Sequence, residues 1–328
     1  MGEARKHHFI SRFLLRGFAV PEEDDGRLFV LDRTRNKVFQ SSPAKGGHRR
    51  DYNRVDKEAH PDPLVVESFY AEIESRAAPA LRQIRTTKSL PPRAEGAKVL
   101  DLVAIHLTRT PRFRRWIEGK FFEVFERKIL EMGGNVASRR RFARKQREYG
   151  MPEDCLTPEG YIARMKSGDF SIETDDNWKI ALAVQWLPVF VDVLQSRHWL
   201  VMQFPTRFEP LIICDAAVGL LAVGKPGPKP VGLALPNTII YLPISTRLVL
   251  VGVYPQVRPL LETAIRPRLL NTTSFAFCVD QCFSSEDDFV IDDPERGPTQ
   301  WTTYQREAKF PKLIDDPGDL ADVYAGRS

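Results

Sequence analysis

Cysteine is scarce in this 328-residue chain: Cys155, Cys214, Cys278 and Cys282 are its four. That is too few and too scattered for a disulfide framework. Cys278 and Cys282 stand four apart, and no second pair completes a zinc site. A reduced, cytoplasmic protein is the expectation, and a chain this long can bury its core without covalent staples. Long uncharged apolar runs are missing too. No stretch reaches about 18 apolar residues without a charge, so no membrane span is expected. The most apolar segment, 211–224, is short and carries Asp215. The start is polar and basic, and the run from Phe9 to Phe18 is broken by Arg12 and Arg16, which predicts no secretory leader. HxH, HExxH, CxxC and GxxxxGK[ST] are absent, and these would have given a metal or phosphate site its usual spacing. The segment 224–232 (GKPGPKPVG) reads as a rigid loop, because its prolines remove the N–H donors a phosphate loop needs. No internal repeat or low-complexity block is visible.

What is present has an ordinary globular balance, 42% hydrophobic and 28% charged. The net charge of +5 is unevenly spread. Residues 109–147 hold thirteen Lys/Arg against four Glu, whereas residues 284–328 hold eleven acids against five bases. This segregation points to an anionic partner for the middle of the chain, or to docking of the acidic end on it.

Residues 27–42 alternate in hydrophobicity around RTRN, which predicts a β-hairpin. Residues 63–86 repeat apolar positions at helical spacing, with Pro79 expected to kink or divide the helix. Further helices are expected over 94–110, 111–132, 137–150, 157–168 and 177–196, the fourth of these capped by Thr157 and the last interrupted by Pro188. Beyond residue 197 the pattern changes to short apolar runs, read as strands of one buried sheet, followed by a late helix. The expected class is α+β: an N-terminal β-hairpin, a helical middle and a β-rich C-terminal third. One domain over 1–283, with a basic helical insertion at about 111–150, would precede an acidic, partly extended tail over 284–328.

Helical spacing sets Glu67 and Glu74 on one face, seven residues apart, and His106 and Arg109 on another, three apart. A buried carboxylate needs an Arg, a His or a metal, so these residues form either a structural clamp or a cleft with acid/base chemistry. His7 and His8 are consecutive, so on a strand they face opposite ways and one of the two could join such a site. Asp215 follows an apolar run and either contacts a ligand or caps the next segment. Cys214 beside it reads as a buried structural thiol. Arg112, Arg114, Arg115, Arg139, Arg140, Arg141, Arg144 and Lys145, interleaved with Phe113, Trp116 and Phe122, are candidate phosphate contacts; a solvated helix face or a groove for the acidic end accounts for them equally well.

Several pieces together resemble a bacterial and fungal family known only as a domain of unknown function. Its members open with His-His-aromatic-x-Pro-x-Tyr/Phe-Leu-x-x-Phe, which corresponds to His7, His8, Phe9, Phe13, Leu14 and Phe18, with Ser11 in place of the proline. A helix with paired glutamates matches Glu67 and Glu74, and a Gln/His-x-x-Arg-Thr/Ser-Pro element matches His106, Arg109, Thr110 and Pro111. The family's Ser/Thr-Asp-Asn-Pro corresponds to Cys214, Asp215, Ala216 and Ala217, which keeps the Asp and loses the Asn-Pro, and a late Asn matches Asn271. The resemblance implies that His7, His8, Glu67, Glu74, His106, Arg109 and Asp215 gather in one cleft, but it brings no established activity.

Two functions of different kind follow. The first is a hydrolase for a phosphate-containing substrate, nucleic acid or nucleotide, with the His, Glu and Asp residues as acid/base groups or as ligands of a divalent metal ion and Arg109 stabilising negative charge. The second is a non-catalytic module that binds nucleic acid or a protein through the basic helices, the polar set being structural. A small-ligand sensor built on the same cleft is a third, weaker reading.

Overall fold

The computed structural model describes residues 6–223, 231–261, 265–293 and 296–307. The loop expected at 224–232 falls almost wholly outside the described residues. The fold is α+β, with N-terminal strands, a long helical middle and a β-rich C-terminal region. Two compact units are present: Arg115–Lys179, and the residues before and after it. The helical insertion expected at about 111–150 is thus a unit that extends to residue 179.

The larger unit begins with β1 (Lys6–His8), α1 (Arg12–Leu15), β2 (Leu28–Asp32), β3 (Lys37–Ser41) and β4 (His48–Arg50). β2 and β3 pair around the Arg33–Asn36 turn, as the alternation predicts. β4 returns to β1 with His8 opposite His48. α2 (Val65–Thr87) and α3 (Arg93–Thr108) follow, and α4 (Pro111–Glu131) starts immediately after. α2 runs through Pro79 as one element. Its apolar face (Tyr70, Ile73, Ala77, Ala80, Leu81, Ile84) is buried across the proline, and that burial outweighs a cost of about 3 kcal/mol for an interior proline. α7 (Asp176–Gln195) likewise continues through Pro188.

The C-terminal region holds β5 (His198–Gln203), β6 (Ile213–Cys214), β7 (Gly219–Ala222), β8 (Thr238–Pro243), β9 (Leu248–Val253), α8 (Pro267–Phe277), β10 (Gln281–Ser284), β11 (Val290–Asp293), β12 (Gly297–Gln300) and α9 (Trp301–Glu307). Every residue of β8 and β9 is buried, which is why these strands read as unbroken apolar runs. The one buried sheet expected here is in fact two. β5-β9-β8-β7 form one sheet, while β6 pairs with β10 and so joins the hairpin in the order β3-β2-β10-β6. A short apolar run says that a strand will be buried and leaves its partner unspecified; here Cys214 lies opposite Cys282 and Ile213 opposite Phe283. Gly219 stands opposite Tyr241, and a Cβ there would lie 2.1 Å from the ring, so no larger residue fits.

The smaller unit contains α5 (Val136–Glu148), α6 (Pro158–Ser167) and the adjoining parts of α4 and α7. Its core is Ile129, Phe142 and Ile162 with Phe125, Tyr161 and Met165 around them. Asn135 caps α5 through the Ser138 N–H, and Thr157 caps α6 through the Gly160 N–H, the latter as its sequence predicts.

Of the acidic, partly extended tail expected over 284–328, residues 284–293 and 296–307 are folded, and 294–295 and 308–328 lie outside the described residues. Trp301 is fully buried, its ring 5.0 Å from Phe275 and stacked on Phe289. The acids of this stretch are used locally. Asp288 accepts from Thr302, Asp293 from Tyr304, and Glu307 pairs with Arg296. Trp301→Ala should therefore cost about 3–5 kcal/mol in urea unfolding, as for a large core aromatic; an unpacked tail would give a change near zero.

Candidate functional site

The expected polar residues fall into three groups. In the first, His7 is fully buried on β1, and its Nδ1 accepts the Asn53 backbone N–H at 2.9 Å. The Asn53 side-chain amide donates to Glu67 Oε2 at 2.8 Å, so one asparagine serves both. Arg114 closes this group, donating to Tyr52 O at 2.5 Å and Asn53 Oδ1 at 3.2 Å, with its guanidinium 3.5 Å from the centre of the Tyr52 ring.

The second group is built on Ser11. Its hydroxyl donates to Glu74 Oε1 at 2.7 Å, accepts from Arg109 Nη2 at 2.8 Å and lies 3.1 Å from His106 Nε2. Arg109 Nη2 is also 2.5 Å from Glu74 Oε1, and Arg109 Nε donates to Phe9 O. The tautomer of His106 follows from its partners. Nδ1 faces Leu102 O at 2.8 Å and must donate, which leaves Nε2 to accept the Ser11 backbone N–H at 3.2 Å. Burial, and then the nearby Arg109 charge, push the His106 pKa down to about 3. Burial works against an ionised Glu74, but Arg109 and the Ser11 hydrogen bond outweigh it and hold the carboxyl below its usual range.

His8 faces away from His7, as alternation along a strand requires. Its ring lies 5.4 Å from that of His48, and it feels the charges of Glu74, Arg109 and Arg12. Burial, then His48, lower its pKa to about 4, so it is neutral at neutral pH, and among the described residues its buried Nε2 has no hydrogen-bond partner. His7 thus meets Glu67 through Asn53, whereas His8 feels the charge of Glu74, two turns further along α2.

Asp215 forms the third group alone. Both its oxygens are taken by the backbone N–H groups of Val279, Asp280 and Gln281 at 2.6–3.1 Å. Full burial raises its pKa to about 6 against the pull of those bonds. This is a cap on the turn into β10, a distant segment and not the next one that its sequence position suggests, and none of its hydrogen bonds goes to the other candidates. Asn271, a match in the resemblance, is likewise buried, accepting the Ile212 N–H and donating to Pro210 O.

Beside Glu74 the larger unit opens into a cavity of about 820 Å³. Arg12, Arg16, Arg82 and Arg85 line it, with Glu22 and Glu74 as its carboxylates. Asp24 binds Arg16 through two hydrogen bonds of 2.6 Å and lies 3.4 Å from Arg12. Arg85 gives its N–H groups to the carbonyls of Ile244, Phe13 and Leu14; burial lowers its pKa to about 10, which leaves it charged at neutral pH. Gly17 makes room for it, since a Cβ there would lie 2.5 Å from Arg85 Nη2 and 2.2 Å from Ile244 O. Among the described residues no ion pair holds Arg82.

Ser11, Asn53 and these arginines are absent from the candidates that the sequence offers. Asn53 leaves no signal in a charged loop. Arg82 and Arg85 were legible, because Glu74, Ala78, Leu81, Arg82 and Arg85 follow helical spacing along one side of α2. Among the described residues no group of three or more His, Cys, Asp or Glu side chains is placed to hold a metal ion.

The basic candidates divide as well. Arg114 is committed to Tyr52 and Asn53, and Arg112 lies 4.0 Å from the centre of the Phe277 ring. Arg139 pairs with Glu159 at 2.5 Å, and Arg144 lies 3.8 Å from Glu148. Arg115, Arg140, Arg141, Arg144 and Lys145 are exposed. Among the described residues no helix is long and apolar enough to cross a membrane.

Two predictions follow from the Ser11 group. Arg109→Met strands a largely buried carboxylate and should cost about 3–5 kcal/mol. Arg109→Lys should rescue little, because a single ammonium cannot replace the guanidinium fork reaching Phe9 O, Ser11 and Glu74. Urea unfolding of both variants checks this. The second concerns acid. His106 and His8 have folded pKa values below 6.5, so at these two groups the unfolded chain binds more protons and their contribution to stability falls as pH drops from 6.5 toward 4, with Asp215, raised to about 6, acting in the opposite sense. Glu74, with its pKa depressed, adds stability above its unfolded value and loses it at still lower pH. His106 alone should contribute up to about 1.4 kcal/mol per pH unit in that window. His106→Gln, which keeps an acceptor for the Ser11 N–H, should flatten the slope measured between pH 6.5 and 4.5.

No curated protein and no solved structure matches the chain. A family model covers residues 6–288, which includes every residue of the three groups and of the cavity. The chain therefore belongs to the family described as protein of unknown function DUF4238.

Proposed function

We propose that this protein is a hydrolase for a phosphate-containing substrate, and that the substrate binds in the arginine-lined cavity beside Glu74. The observation that carries this reading is the juxtaposition of four arginines with one carboxylate held in its ionised form. Arginine forks match phosphate oxygens, and a cavity of about 820 Å³ is large enough for a nucleotide-sized ligand. The Ser11 and Arg109 contacts fall on Glu74 Oε1, which leaves Oε2 to take a proton from a water as that water's oxygen bonds to phosphorus and the P–O ester bond breaks, its electron pair leaving on the ester oxygen, which takes a proton from solvent. Arg12 and Arg82 stabilise the charge gathering on the phosphoryl oxygens. Arg109 and Ser11 position Glu74.

A panel of phosphate mono- and diesters, nucleotides and oligonucleotides, run with and without added divalent ions, tests the reading. Turnover by the wild type should fall about 10²-fold or more in Glu74→Gln, the usual weight of a general base. Arg82→Gln should raise KM while its exposed position keeps the fold intact. Absence of turnover across the panel overturns the hydrolase. Tight binding of a phosphate ester without turnover assigns the same cavity to a sensor instead.

A further inference from the structure

We propose that the exposed face of α5 binds the backbone of a single-stranded nucleic acid. Arg140, Arg144 and Arg147 lie along one edge of this helix and Arg141 and Lys145 along the next, an arc of roughly 160° at 100° per residue. All five are exposed. Phe142 on the opposite side is buried with Ile129 and Ile162, so the helix is anchored by its apolar side and presents its charge outward.

Most other cations of this unit have a carboxylate partner. Lys120 pairs with Glu123, Lys128 with Glu131, Arg139 with Glu159, Lys166 with Glu126, Lys179 with Glu118, and Arg164 with Asp154 and Asp169. On α5 one acid, Glu148, stands among the five cations other than Arg139, 3.8 Å from Arg144. Among the described residues no ion pair holds Arg140, Arg141, Lys145 or Arg147. A concentration of charge left unneutralised in a unit that neutralises it elsewhere is a surface suited to a polyanion. Four of the five are arginine, the side chain whose planar fork takes phosphate oxygens in pairs.

A second, independent observation selects the kind of polyanion. Tyr149, one turn beyond Lys145, is 74% exposed. An aromatic ring beside a basic stripe is a platform for an unstacked base, and single strands supply unstacked bases where duplexes do not. A membrane surface fits less well, because the apolar side of α5 is already used in the unit's core and cannot enter acyl chains. The inference rests on the Arg115–Lys179 unit alone and is independent of the cavity.

Fluorescence anisotropy of the full chain with a labelled 20-nucleotide oligo(dT) and its RNA counterpart, from 50 to 300 mM KCl, tests it. Wild-type binding should weaken with salt, with a slope of about −0.7 per phosphate neutralised. Arg140→Gln/Arg141→Gln/Lys145→Gln should reduce that slope by about 2 and weaken binding at least ~10-fold at 50 mM salt. Tyr149→Ala should weaken binding by about 10-fold and leave the slope unchanged. Circular dichroism checks that the variants fold; if the triple variant does not, Tyr149→Ala decides. No wild-type binding at 50 mM KCl, unchanged binding by the variants, or equal binding of poly-glutamate or phosphatidylserine vesicles overturns the proposal. Hydrolysis of small phosphate esters in the cavity should be unaffected by either variant, which separates this test from that of the proposed activity.

Discussion

The contact on which the rest of the candidate site depends is the buried triangle of Ser11, Glu74 and Arg109. Arg109 is 2% exposed, so its charge has little water to solvate it, and Glu74 supplies the opposite charge at 2.5 Å. One pair does not satisfy a guanidinium. The remaining donors go to Phe9 O and to the Ser11 hydroxyl, which hands its own proton to Glu74. His106 completes the closure by accepting the Ser11 backbone N–H while donating to Leu102 O. A buried ion pair adds little net stability compared with apolar packing, but it is costly to break, and this one ties the chain's start to α2 and α3 at a single registry.

That tie has a consequence for the neighbouring cavity. α2 carries Glu74 at the junction between the triangle and the open space, with Arg82 and Arg85 two and three turns further along. Fixing Glu74 fixes the wall on which those arginines sit. Arg85 is itself held by three carbonyls, one of them from Ile244 beyond β8, so the cavity draws together segments far apart in the sequence. Arg16 and Arg85 are held here by packed, hydrogen-bonded structure. On α5 positive charge comes from exposed side chains without such support, a difference that separates a preorganised pocket from an adaptable surface.

Much of the fold was legible because its signals are local. Apolar periodicity located α2, α3, α4 and α7 to within a few residues, and the cap at Thr157 started α6 where expected. Strand pairing beyond the β2–β3 hairpin was not legible, since Ile213–Cys214 and the runs at 238 and 248 look alike in sequence yet join different sheets. In the site, spacing correctly set Glu67 with Glu74 and His106 with Arg109 on shared faces. It did not reveal Asn53 as the bridge between His7 and Glu67, because a bridging amide is defined by two partners from distant elements and by nothing in its own neighbourhood.

By itself the sequence determined that the protein is α+β, that its middle is helical and basic, and that His7 and His8 must diverge, because alternation on a strand is a property of the backbone. Tertiary structure alone decided what each histidine meets, that Asp215 caps a turn, and that Arg12 and Arg16 come to line a cavity with Glu74, Arg82 and Arg85. Those outcomes depend on which surfaces close on one another. Burial then acts through the environment thus created, pushing His106 down to about 3 and Asp215 up to about 6. A carboxylate or an imidazole carries no mark in the sequence of the solvent it will lose or the charge it will face; packing assigns both.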